Sequence, residues 1–95
     1  MAQKEAQITT LHPQGKKGAS ISKEKYELIK SEILAELQNG PKRYTPIADA
    51  IAQRIEDQFD GRVYWFVTTV KLDLEARGLL RRITVNGMIL LELVK

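Results

Sequence analysis

Cysteine is absent from the chain, which excludes a disulfide framework and any thiol chemistry. A single histidine, His12, leaves nothing that resembles a zinc site and no nucleophile–base pair to build around it. A phosphate-cradling glycine loop is missing too. Gly15-Lys16-Lys17-Gly18 shares residue types with one but neither follows a strand pattern nor has its spacing. These absences argue against an enzyme and against a metal or cofactor. No apolar run approaches the roughly 20 residues of a membrane span, and the polar N-terminus has no signal-peptide core. A cytoplasmic protein without membrane contact is therefore the expectation.

The 95 residues suffice for one domain with a modest core. Hydrophobic residues at 43% against 28% charged give the balance of a soluble globular protein. The net charge of +3 is unevenly spread. Residues 1–22 carry Lys4, Lys16 and Lys17 against Glu5, whereas residues 23–61 have more acids than bases. Residues 62–95 carry Arg62, Lys71, Arg77, Arg81, Arg82 and Lys95 against Asp73, Glu75 and Glu92. The basic excess at both ends of the chain is a mild pointer to an anionic partner.

Residues 1–20 read as a leader, with Ile8 and Leu11 as small apolar anchors. Pro13, Gly15 and Gly18 speak against regular structure there, and the leader is expected as a tail or a loop laid over the domain. Lys16-Lys17 between glycines has the chemistry to grip a phosphate, although a solvated turn is the simpler reading. The domain proper, residues 21–95, opens with a helix. Ser22 is placed to cap it, and Ile21 and Tyr26 have the spacing of a hydrophobic staple. Ile29, Ile33 and Leu37 form its buried stripe, and Asn39-Gly40-Pro41 ends it. Lys42-Arg43-Tyr44 has the length of a bridging strand. Thr45-Pro46 is expected to start a second helix, with Ile47, Ile51, Ile55 and Phe59 as its ladder and Asp60-Gly61 as its break. A third helix places Val63, Val67, Val70 and Leu74 on one face, with Phe66 at the edge, and stops at Gly78. Two apolar runs around Asn86-Gly87 predict a type I′ hairpin, since both central residues of that turn need positive φ.

Helix, short strand, helix, tight turn, helix, hairpin is the order of a winged helix-turn-helix. VTTVKLDLEARGLLRR, residues 67–82, resembles the recognition-helix-to-wing segment of winged-helix regulators of the MarR and PadR kind, matched at Leu74, Glu75, Gly78-Leu79 and Arg81-Arg82. The chain as a whole, with its HPQGKKG leader, is also similar to a group of small bacterial winged-helix proteins. The resemblance implies an α+β, mainly α fold: three helices with a C-terminal hairpin wing. It also implies a transcription regulator with double-stranded DNA as partner. Carried over by position, Arg62, Tyr64, Thr68, Thr69 and Lys71 on the third helix, with Arg81 and Arg82 behind them, would contact phosphates and base edges.

Two features support a different reading. The hairpin tip, residues 84–88, carries no lysine or arginine. Opposite the core face of the third helix lies an apolar stripe of Trp65, Leu72 and Ala76 beside Thr69. On this reading the scaffold is a protein-interaction or dimerisation module. The stripe then needs a cover, either the leader through Ile8 and Leu11 or a second copy across a two-fold axis. The leader is the favoured cover, and an uncovered stripe of ordinary surface is the plainest alternative.

Overall fold

The computed structural model describes residues 6–94; Lys4, Glu5 and Lys95, which enter the charge pattern above, lie outside them. The chain runs β1 (Gln7–Thr9), β2 (Ser20–Ser22), α1 (Lys23–Glu36), α2 (Tyr44–Ile55), α3 (Val63–Ala76), β3 (Leu80–Val85) and β4 (Met88–Leu93). The described residues form an α+β architecture of three helices and two antiparallel hairpins.

Local chemistry explains most element ends. Ser22 caps α1 by accepting from the Lys25 amide at 3.3 Å, and the staple partners Ile21 and Tyr26 are both buried. The second helix starts two residues earlier than Thr45 as its cap and Pro46 as its first residue would have it. Arg43 stands at its N-cap without a side-chain cap bond, and Pro46 falls at the third helical position. Proline is still tolerated there, because amides of the first turn have no intrahelical acceptor. The same helix ends at Ile55, so Phe59 lies beyond it and packs on the core from the α2–α3 connection. At the end of α3 the Leu79 amide donates to the Leu74 carbonyl at 2.9 Å and the Gly78 amide to that of Glu75 at 3.1 Å, closing a Schellman motif. The β3–β4 turn has Asn86 at φ 51° and Gly87 at φ 80°, as a type I′ turn requires.

The core lies between the three helices. Ile29 and Ile33 of α1, Ile47 and Ile51 of α2, and Val67, Val70 and Leu74 of α3 are fully enclosed, with Leu80 and Leu91 closing the hairpin side. Lys42 forms an antiparallel bridge with Leu91, exchanging hydrogen bonds of 3.0 and 2.7 Å, so the α1–α2 connection is fastened to the outer edge of β4. The leader departs from the expectation of no regular structure. Gln7–Thr9 pairs with Ser20–Ser22 in the register Ile8↔Ile21, across the boundary between leader and domain. The proline and glycines do break the chain, but only in the loop between these strands. Ile8 packs against the core cluster, and that burial makes the short pairing worthwhile.

Candidate functional site

The outer side of α3 divides into two flanks with different neighbours. On one flank lies Asp73, fully buried at 0% exposure. It stands about 90° round the helix from the centre of the Val63–Leu74 stripe, so the helix core alone would leave it wet. The leader covers it. The Leu11 amide donates to Asp73 Oδ1 at 2.9 Å, the Tyr26 hydroxyl donates to Oδ2, and Arg77 Nε donates to both oxygens at 3.0 and 2.9 Å. One carboxylate thus joins the leader, α1 and α3, and its charge is balanced by a guanidinium one turn away. Burial, reinforced by the hydrogen bond to Asp73 and its negative charge, pushes the Tyr26 phenol from the ordinary 10.0 up to about 12. The hydrogen bond to Asp73 likewise raises the Arg77 guanidinium. Thr10, also buried, locks the leader loop: its amide donates to the Ala19 carbonyl at 2.8 Å, and its Oγ1 accepts from the Ala19 amide at 2.9 Å.

The opposite flank faces α2 and the hairpin. Tyr44 and Thr68 share a hydroxyl–hydroxyl hydrogen bond of 2.5 Å, and the Tyr64 hydroxyl donates to Asp49 Oδ1 at 2.6 Å. That bond to Asp49 raises the Tyr64 phenol above its ordinary range. Glu75, with 7% of its side chain exposed, accepts from Arg82 Nε at 2.7 Å and lies 3.0 Å from Lys71 Nζ. The Lys71 ammonium also sits 5.6 Å from the centre of the Tyr44 ring. On the hairpin, Arg81 Nε donates to its cross-strand neighbour Glu92 at 2.5 Å.

The residues that the DNA reading relies on are therefore placed as follows. Thr68 is exposed but engaged with Tyr44, Tyr64 is half-exposed but bonded to Asp49, and Thr69 is half-buried beside the leader. Lys71, Arg81 and Arg82 each hold a carboxylate of the same unit. Arg62, exposed at the N-cap of α3, has no ion pair among the described residues. The stripe is lined by the leader without being sealed. Leu11, Thr69, Leu72 and Trp65 border one cleft, while Trp65 stays 46% exposed with its ring edge-on to Phe66 at 5.0 Å. Ala76 is half-buried. At the far end of the hairpin, Val85, Met88 and Ile89 are 41%, 46% and 61% exposed and form an apolar tip.

Asp73, Tyr26 and Tyr44 did not stand out as polar organisers in the sequence. Asp73 carried a usable signal: it lies three residues after Val70, adjoins Leu74, and stands four before Arg77, the spacing of a helical ion pair. Among the described residues no group of three potential metal ligands forms, and no helix is long and apolar enough to cross a membrane. Residues 7–89 match a family described as a family of unknown function, DUF6958. No curated protein and no solved structure matches the chain.

Proposed function

The chain belongs to this family of unknown function, DUF6958, and we propose from its own geometry that it is a small winged-helix protein acting as a self-association module rather than a DNA reader. The winged-helix reading is supported by the order of the three helices and the C-terminal hairpin, and by the Lys42–Leu91 bridge that ties the α1–α2 connection to that hairpin.

One observation carries the choice of function. Of the five described cations in residues 62–94, Lys71, Arg77, Arg81 and Arg82 are paired with Glu75, Asp73 and Glu92 of the same unit, which leaves Arg62. A duplex reader gains affinity by neutralising phosphates with unpaired cations, and here most of that charge is already neutralised. The hairpin tip meanwhile presents Val85, Met88 and Ile89 without a charge among them. Beside the tip, the outer edge of β3 has no strand paired to it among the described residues. An apolar tip next to an open strand edge is complementary to its own two-fold copy, and two-fold dimers are the commonest closed assembly.

Light scattering over a concentration series tests this. The wild type should shift from monomer to dimer mass, and Ile89→Lys should stay monomeric. Fluorescence anisotropy with mixed-sequence duplex at low salt should show no saturable binding. A wild type that stays monomeric at every concentration overturns the proposal. So does duplex binding that Arg62→Glu with Lys71→Glu abolishes, an outcome that would establish the DNA-binding regulator implied by the resemblance.

A further inference from the structure

The leader and α3 enclose a cleft of about 200 Å³ whose chemistry is one-sided. Its polar lining includes Lys17 and His12 from the leader loop and Thr69 from α3; its apolar walls are Leu11, Leu72 and the half-exposed Trp65 ring. No carboxylate lines it. Lys17 has no ion pair among the described residues. The Gln14 amide donates to His12 Nδ1 at 3.1 Å, so the neutral imidazole carries its proton on Nε2 and remains a donor there. Asp73, held by the amide of the cleft residue Leu11, is already engaged by Tyr26 and Arg77 as well. The cleft therefore offers cationic and neutral donors beside a half-exposed indole. This is the combination that holds a phosphate and stacks a flat ring.

We propose that this cleft binds a nucleoside monophosphate, its phosphate on Lys17 and His12 and its base stacked on Trp65. The loop geometry supports a built site over a passing turn. A side chain at Gly18 would place its Cβ 1.7 Å from the Thr10 carbonyl oxygen, so the strand-to-loop spacing that carries Lys17 is tightly set. Lys17, next to that glycine, lines the cleft together with Thr69 and Leu72 of α3. Lys16 next to it does not line the cleft, and the difference between the two lysines can be tested. The site is independent of self-association through the hairpin tip, since it draws no residue from β3 or β4.

Trp65 is the chain's one tryptophan, so its indole N–H gives a single resonance that reports on the cleft without further assignment. Titration of the full-length protein with adenosine monophosphate should move that resonance saturably in the low millimolar range or tighter. Adenosine and inorganic phosphate, each carrying half of the recognised chemistry, should bind at least about tenfold more weakly, the scale of one lost charge-assisted hydrogen bond. Lys17→Gln should weaken the monophosphate by about the same factor while Lys16→Gln leaves it within about twofold. Both positions are exposed, so the remaining spectrum should match that of the wild type. Absence of a saturable shift overturns the proposal. Equal losses in the two lysine variants also overturn it, because they would mark a diffuse electrostatic attraction.

Discussion

Asp73 accepts hydrogen bonds from a backbone amide, a phenol and a guanidinium that come from three separate parts of the chain. Truncating it would leave the buried Tyr26 hydroxyl and the Leu11 amide without their acceptor. Asp73→Ala should therefore destabilise the fold by about 3 kcal/mol in denaturant unfolding. Asp73→Asn keeps an acceptor but loses the charge, and should cost less. The Tyr26 phenol supplies a pH test. Its folded pKa of about 12 lies above the ordinary 10.0, so the folded state holds the proton more tightly. That contribution is complete below pH 10 and is lost as the pH rises from 10 towards 12. Tyr26→Phe should cost about 1–2 kcal/mol near neutrality, and the gap to the wild type should narrow across that alkaline window. A gap that stays constant or widens there would mean that the phenol is not held as the geometry indicates.

Among the elements, the leader hairpin is the least predictable from local pattern and the most open to testing. Its strands are three residues each, too short to stand alone, and they persist because Ile8 and Ile21 pack on the core and Thr10 is locked to Ala19. Gly18→Ala would drive its Cβ into the Thr10 carbonyl oxygen, and relief requires the loop to open. It should increase hydrogen-exchange rates of the Thr10, Leu11 and Ala19 amides selectively and lower thermal stability, whereas Gly15→Ala should affect only its own turn, where the strain comes from φ 74° and not from a neighbour. Deleting residues 1–19 removes β1, the Leu11 bond to Asp73 and the cover of the α3 flank together. Its melting temperature should fall well below that of Gly18→Ala, with no change in oligomeric mass on the proposal that assembly runs through the hairpin tip.

For the whole molecule, the distribution of charge and apolar surface counts for more than the net charge of +3. On the proposed reading, Lys71, Arg81 and Arg82 stay engaged with their carboxylates and the α3–hairpin face neutralises few phosphates. Any residual duplex retention through this face should show a log–log salt slope of only about 1, the share of Arg62 alone, far from the slope of a protein making many phosphate contacts. Ile89→Lys should leave unfolding free energy within about 0.5 kcal/mol, because the tip side chain lies outside the core, while removing the dimer. Loss of both stability and dimer would show that the tip serves the fold and not assembly.

Periodicity, caps and turn chemistry act over four or five residues, and the features they control were legible in the sequence alone. The Ser22 cap, the Ile29–Ile33 and Val63–Leu74 stripes, the stop at Gly78 and the Asn86-Gly87 turn all stand where pattern places them. Contacts between distant residues carry no such local mark. The pairing of Gln7–Thr9 with Ser20–Ser22 spans a loop that reads as unstructured, and its register follows from core burial of Ile8 and Ile21. Lys71, Arg81 and Arg82 read as free cations until α3 and the hairpin bring Glu75 and Glu92 against them. Asp73 enters the sequence reading only as one acid in the charge count. Only the docking of residues 62 positions away removes it from water, and a buried carboxylate must then collect every donor within reach.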